Sequence, residues 1–460
     1  MRNLGCLIEG NTGRAIIEAD TGTVYSYEDF DNMCNSDAHM LVEKGLKKND
    51  RIAIAADNSA RYLSLFLGAL RAGIGVVTID NKLSVERQKE LSDFSSCSLF
   101  FDNSSLKQPQ SYTGKHNGIP VDVSPDTVAR IQFTSGSTGK PKAVVRTHAA
   151  DNYLADYQVW SEPGKIEIHA TNFHFARGMN QLIRTIRWGT TIVLLKKITP
   201  KSFVNAISKY NVTVIDAPPV MHRLIMQIIE KRNIDVSFVK EIQTSADTVT
   251  LKLVNQINRV YNNPKFINRW ASSELTSPFI HGSNKTYDLG FLHPESKSKL
   301  VDGEFWYKGA LTFKEYLNSP EETADKFEDG WFKTNDIMRV DEDGRYWYLG
   351  RKDDTFKVSA KLVYPQEITR IIEEHPAVKQ SICIPLPDKL RGNKVVVYIL
   401  LEDNKKETIY TKNDMVAWFK TRSKGIEHCI PRKYIFVDKF PLNGPGKINR
   451  KKLIEMAEVS

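Results

Sequence analysis

The densest chemistry in the chain lies in one short stretch, Thr134-Ser135-Gly136-Ser137-Thr138-Gly139-Lys140-Pro141-Lys142. It follows a strand-like run, Val128 to Phe133. Glycines let successive backbone N–H groups converge on phosphate oxygens, hydroxyls add donors and lysines add charge. It is not a Walker loop: only two residues separate Gly136 from Gly139-Lys140, and Pro141 follows the lysine. A flexible Ser/Gly connector would share the glycines, but it needs neither lysine nor the proline between them. Metal chemistry through thiols is not indicated. Cys6, Cys34, Cys97, Cys383 and Cys429 are widely spaced, and no C-x-x-C or Cys/His pair has zinc spacing.

Such a loop must be held by a large scaffold, and the chain is long enough to supply one. At about 100–200 residues per domain, 460 residues allow more than one domain. Hydrophobic residues at 41% and charged residues at 26% fit a globular protein and exclude disorder as the main architecture. The net charge of +9 is spread thinly. It suits a solvated basic surface or a polyanionic ligand such as a nucleotide or CoA better than nucleic acid, because the basic runs are short and lack interleaved aromatics. The most apolar window, Tyr62 to Ile79, holds Arg71 and three glycines and reads as helix, turn and strand rather than a transmembrane span. The N-terminus shows no basic segment leading into an apolar one, so no signal peptide is expected. Thiol usage suits a cytoplasmic protein.

Helix-periodic segments (Tyr27 to Lys44, Ala60 to Leu70, Lys201 to Lys209) alternate with short apolar runs (Arg51 to Ala55, Gly75 to Ile79, Thr190 to Leu195, Val212 to Asp216). That rhythm predicts an α/β fold with largely parallel sheets layered with helices. From Gly303 to Leu349 the texture turns to aromatic hairpins. Beyond Gly350-Arg351-Lys352-Asp353-Asp354, a helix from Pro365 and further strands predict a small α+β unit. The expected division is 1–352 and 353–460.

The glycine-rich stretch resembles the phosphate loop of the adenylate-forming superfamily: acyl-CoA synthetases, adenylation domains and firefly-type luciferases. Four more segments are similar to the family's motifs, in its order. Trp270-Ala271-Ser272-Ser273-Glu274 resembles Y-G-x-T-E, and Gly330-Trp331-Phe332-Lys333-Thr334-Asn335-Asp336 resembles G-W-x-x-T-G-D. Gly350 to Asp354 resembles the hinge motif, and Asn443-Gly444-Pro445-Gly446-Lys447-Ile448 the motif of the C-terminal catalytic lysine. The resemblance implies a large N-terminal domain and a mobile C-terminal lid. It also implies a two-step reaction: a carboxylate displaces pyrophosphate from ATP, and the acyl group then moves to a thiol of CoA or of a carrier-protein phosphopantetheine. ATP, Mg²⁺ and CoA are the implied cofactors. A small carboxylic acid is the implied substrate, and an acyl carrier protein is the alternative partner.

On this resemblance Lys447, Glu274, Thr134 and Lys142 are catalytic, with Glu274 also the Mg²⁺ ligand. Thr134, Ser135, Gly136, Ser137, Thr138, Gly139, Lys140, Trp270, Ser273, Asp336, Tyr348 and Arg351 hold the nucleotide. Asp353 is the hinge and Ala360 lines the thiol tunnel. The chemistry agrees: Glu274 is a hard oxygen donor, Asp336 can accept from both ribose hydroxyls, Arg351 can reach ribose or phosphate, and Lys447 can bridge two anions. Phe173 to Met179 resembles the segment lining the acyl site, which implies His174, Arg177, Gly178, Ser245 and Ala246 as pocket residues. Where amino-acid-activating members carry an aspartate, this chain has His174, which argues against an α-amino acid. Arg177 and Arg184 are seven apart on an expected helix and could share a face. One of them could meet a second polar or anionic group on the substrate, or both could simply be solvated. The sequence departs from the family at Asn335, Ala271, Ala143 and Ala360, each of which replaces a glycine, and at Thr244-Ser245-Ala246-Asp247.

Overall fold

The computed structural model describes residues 1–107, 119–134, 142–157, 162–245, 249–280, 287–402, 412–441 and 448–459. The predicted rhythm is realised as two sheets with helices between and outside them. The first sheet runs in the order Lys265–Arg269, Glu241–Ser245, Val214–Asp216, Ile166–His169, Thr191–Leu194, Arg14–Glu18, Val24–Ser26. Every pairing in it is parallel except the last. The second sheet runs Glu315–Tyr316, Lys142–Thr147, Val128–Thr134, Gly75–Thr78, Arg51–Ala55, Leu99–Asp102. Its glycine-loop strand pairs in parallel with Gly75–Thr78 and antiparallel with Lys142–Thr147.

Helices Tyr27–Glu43, Ala60–Arg71 and Ala176–Arg187 fill the space between the sheets and share one core with both. The helix Ala60–Arg71 is buried almost all round, as a central helix must be. It starts where Ser59 accepts from the N–H of Tyr62. The outer face of the first sheet packs Ile168, Ile215, Ile242 and Phe266 against three further helices. A third, antiparallel sheet carries Asp288–Leu292, Tyr346–Arg351, Trp331–Val340, Glu304–Lys308 and Lys297–Val301. These are the hairpins expected from the aromatic texture.

Past Arg351 come a two-stranded hairpin, Phe356–Val358 with Lys361–Val363, and the helix Pro365–Glu373. A three-stranded sheet follows, Val378–Asp388, Gly392–Leu401 and Lys433–Phe436. This C-terminal unit has its own core around Ile368, Ile372, Val397 and Phe419. Among the described residues no helix is long and apolar enough to cross a membrane.

Candidate active site

Strand pairing sets the first half of the site. Thr134 ends its strand opposite Lys142; these are the two described residues that flank the glycine-rich stretch in sequence. Ser135, Gly136, Ser137, Thr138, Gly139 and Lys140 lie outside the described residues, as do Ala246 and Lys447. The edge strand Glu315–Tyr316 pairs with the strand that Lys142 opens. Tyr316 therefore sits beside Lys142, whose Nζ lies 4.9 Å from its ring centroid. Its hydroxyl donates to Glu274 Oε1 at 2.8 Å. Burial, then the Glu274 charge, push the Tyr316 pKa up, so the phenol stays a donor. Lys142 also meets Glu322 at 3.1 Å. Glu274 is held by a local turn in which Ser272 Oγ accepts from its N–H at 3.2 Å and from that of Leu275 at 3.0 Å. Lys142 and Glu274, far apart in sequence, thus share one tyrosine.

The second half is built on the third sheet. Asp336 and Arg351 face each other in register across two strands, with Arg351 Nη1 3.2 Å from Asp336 Oδ1. Trp270 Nε1 donates to Asp336 Oδ2 at 3.0 Å. The Trp270 ring packs edge-on against Phe305 and Phe279, which fixes its plane. Burial pushes the Asp336 carboxyl up to about 6, against the opposing pull of Arg351 and the Trp270 N–H. Tyr348 lies on the strand of Arg351, and the charges of Asp336, Arg351, Asp354 and Arg450 all reach it. Trp270, which meets Asp336, and Glu274, which meets Tyr316, lie on one five-residue segment, which joins the two halves. Ser273 is half-buried beside Glu274.

The junction is clasped. Asn335 Nδ2 donates to Asp353 Oδ2 at 2.5 Å. Glu304 accepts from the Asn335 backbone N–H at 2.9 Å and from Lys352 Nζ at 2.8 Å. Asn335 takes φ +63°, a left-handed conformation that Asn tolerates better than most residues. Gly350 has φ +132°, and a Cβ there would meet the side chain of Gln366 at 2.1 Å. Arg450 reaches Asp354 at 3.6 Å and donates to the Cys383 carbonyl at 3.1 Å, so the chain just past Lys447 lies near Tyr348 and the junction. Ala360 has φ +66° after Ser359 at φ +49°, closing the hairpin with two left-handed residues. Where the family has glycine, this alanine holds the glycine conformation at a cost of about 1 kcal/mol.

The acyl-side residues separate into two groups. His174 is buried at the second sheet, with Nε2 3.7 Å from Asp80 Oδ1 and its ring against Phe175; burial lowers its pKa, with Asp80 opposing. Gly178 permits a close approach, since a Cβ would come 2.3 Å from the Asn172 carbonyl oxygen. Arg177 lies against the first sheet, paired with Asp216, and Gln181 binds the same carboxylate. Arg184 lies on the same face and donates to Gln243 at 3.2 Å, whereas Arg187 turns outward to Asp156 at 2.7 Å. Arg269 donates to Gln181 at 2.6 Å. Burial, with neighbouring Arg184, pushes the Arg269 pKa down to about 9. Ser245 pairs with Arg269 across the strand ends. The structure thus brings Arg177, Arg184 and Ser245 together at the first sheet and leaves His174 at the second. Sequence reasoning missed Tyr316, Asp216, Gln181 and Arg269. Tyr316 belongs to no motif; Asp216 and Arg269 are signalled only by polar residues recurring where buried parallel strands normally run apolar, and Gln181 only by its helical spacing between Arg177 and Arg184.

Among the described residues no cluster of three or more His, Cys, Asp or Glu could hold a metal. Glu274, which shares Tyr316 with Lys142, is a hard oxygen donor. That fits a magnesium ion whose other ligands are phosphates and water.

Residues 9–317 match the model of the AMP-binding enzyme family, and residues 367–447 match that of the AMP-binding enzyme C-terminal domain. The chain is 26% identical over 352 residues to a long-chain-fatty-acid–CoA ligase of Bacillus subtilis (strain 168), covering 71% of this chain and 61% of that enzyme. It is 24% identical to the fatty acid–[acyl-carrier-protein] ligase ScoC of Streptomyces coeruleorubidus, over 94% of this chain and 91% of that one. In fold it is similar to the amide bond synthetase McbA of Marinactinospora thermotolerans, with a TM-score of 0.85, 18% identity and 99% coverage of both chains. The chain belongs to the AMP-binding enzyme family.

Proposed function

We propose that the protein activates a small carboxylic acid with ATP and passes the acyl group to a thiol, most favourably that of CoA. A substrate carboxylate oxygen attacks the α-phosphorus, the bond to the β-phosphate oxygen breaks, and pyrophosphate leaves with its electron pair. The thiol then attacks the acyl carbonyl and AMP departs. Asp336 accepts from the ribose hydroxyls, Arg351 reaches ribose or phosphate, and Trp270 and Tyr348 offer faces to adenine. Thr134, the loop 135–140 and Lys142 receive phosphate oxygens. Glu274 would hold Mg²⁺, which supplies charge neutralisation on the phosphates when bound. Lys447 bridges carboxylate and α-phosphate and stabilises the charge that develops between them. We assign 1–352 to the nucleotide-binding domain and 353–460 to a lid that turns at Asp353.

The observation that carries this reading is that the segment Trp270 to Glu274 ties Lys142 and Tyr316 on one side to Asp336 and Arg351 on the other. A scaffold kept only for interaction has no need of that set. The likeness to ScoC over nearly the whole chain supports a second reading, in which the acceptor is a carrier-protein pantetheine. The five free cysteines, four of them buried, suit a reducing compartment such as the cytoplasm.

Acid-dependent ATP–pyrophosphate exchange tests the first step, and AMP release with CoA or with a carrier protein separates the acceptors. Lys447→Ala should cut exchange by on the order of 10²–10³ while ATP binding persists. Exchange at the parent rate would remove Lys447 from the mechanism.

A further inference from the structure

Parallel strands buried on both faces normally read as continuous apolar runs. Four strands of the first sheet do not: they read Ile-Glu-Ile-His, Val-Ile-Asp, Glu-Ile-Gln-Thr-Ser and Lys-Phe-Ile-Asn-Arg. Register places Asp216 beside His169 and Gln243, and Ser245 beside Arg269, so these side chains share one face. The other face carries Ile168, Ile215, Ile242 and Phe266, with Thr244 and Asn268 its polar residues at the strand ends. The polar face is covered by the helix Ala176–Arg187, which answers with Arg177, Gln181 and Arg184 at helical spacing. Asp216, Gln243, Gln181 and Arg184 are all buried.

Burying charges and amides costs more than burying aliphatic side chains of the same size, so packing alone does not account for this face. Its position suggests what does. It lies under the carboxyl ends of the parallel strands, where open α/β sheets bind ligands. Arg269 immediately precedes Trp270, which touches Asp336. Arg177 is the rim residue, with 16% of its side chain exposed against 4% for Asp216.

We infer that the acid is compact and carries a second oxygen-bearing group, a hydroxyl or a carboxylate, received at the Arg177–Asp216–Gln181 rim. This rests on the activation chemistry proposed above and names the substrate class for it. A hydroxyl accepts from Arg177 and donates to Asp216; a carboxylate takes the guanidinium fork. An alkyl chain entering here would part these groups and offer nothing in return.

The test is ATP–pyrophosphate exchange over acids matched in carbon number: butyrate, hexanoate and octanoate against 3-hydroxybutyrate, succinate and glutarate. The oxygenated acids should be favoured by about tenfold or more in kcat/KM, as for a buried polar site facing an analogue without its partner group. The hydroxy and dicarboxylic arms separate the two forms. Replacing Arg177→Leu and Gln181→Leu together should erase that preference through the KM for the acid, with the KM for ATP unchanged and the melting temperature recorded. If the double variant fails to fold, Arg177→Gln at the rim serves, with the same expected change. An alkyl acid that equals or beats its oxygenated counterpart overturns the inference and leaves adenylation standing. If no acid supports exchange, the adenylation reading fails. The melting temperature with a non-hydrolysable ATP analogue then decides the substrate class: a rise with oxygenated acids only supports it, and any other pattern overturns it.

Discussion

Asp336 is the residue at which the fold most visibly works against ionisation. Burial raises its pKa to about 6, while Arg351 and Trp270 pull the other way without prevailing. Because the folded value lies above the ordinary one, the folded state favours the protonated form. Its contribution to stability is full below the ordinary carboxylate range and is lost as pH rises towards 6. Ribose hydroxyls, as donors, favour the ionised form. Affinity for an adenosine ligand without titrating phosphates should therefore strengthen between pH 5 and 7.5, with a midpoint near the raised value. Asp336→Asn should weaken binding by about tenfold, the loss expected for hydrogen bonds to a charged group, and flatten the pH profile. Calorimetric titration across that range checks both. Asp336 and Glu274 are singled out in the sequence only because each ends a segment that resembles a family motif; their residue types alone would read as a turn and a surface carboxylate. Tyr316 is not: it reaches the site through an edge-strand pairing with Val144, and such pairings leave no trace in local spacing.

At the scale of elements, the junction shows a departure from the family acting as a positive feature. Asn335 stands where resemblance expects glycine, and its amide holds Asp353 while Glu304 holds both Lys352 and the Asn335 N–H. This clasp favours the orientation seen here. Asn335→Gly should raise acyl transfer relative to adenylation several-fold, since one hydrogen bond to a carboxylate is worth about 1.5–3 kcal/mol at most. Single-turnover measurement of the two half-reactions checks this; an unchanged ratio would show the clasp to be idle. The elements themselves were largely legible. The segments read as Tyr27 to Lys44, Ala60 to Leu70 and Gly75 to Ile79 appear as Tyr27–Glu43, Ala60–Arg71 and Gly75–Thr78, because periodicity and caps are local. The arginine pair at 177 and 184 was legible as one helix face. Its partners were not, because they come from strands over 30 residues away whose order in the sheet is not written in any window.

Across the whole molecule, the buried Arg130–Asp151–Arg146 triad acts as a tie. Asp151 meets Arg130 Nε at 2.5 Å and Arg146 Nε at 2.7 Å. Arg130 also binds Asn180 of the arginine helix, and Arg146 reaches the Leu311 carbonyl at 3.0 Å. The second sheet, the central helices and the segment leading to Tyr316 are thereby joined. Burial would raise the Asp151 pKa, but the two guanidiniums outweigh it and lower it to about 2. Its stabilisation is present above the ordinary carboxylate value and is lost as pH falls towards 2. Asp151→Asn should cost about 3–5 kcal/mol, as expected when a buried ion pair loses one partner, and urea titration at neutral pH will show it.

The close approach at Gly350 bears on how the C-terminal unit is seated. Gln366 sits in the hollow left by the missing side chain, with its buried Oε1 accepting no hydrogen bond. The resting pose is thus held at this point by shape alone, while an oxygen goes thirsty. Any motion of the C-terminal unit away from Gly350 would return that oxygen to water, a gain set against the Asn335–Asp353 and Lys352–Glu304 contacts that hold the junction.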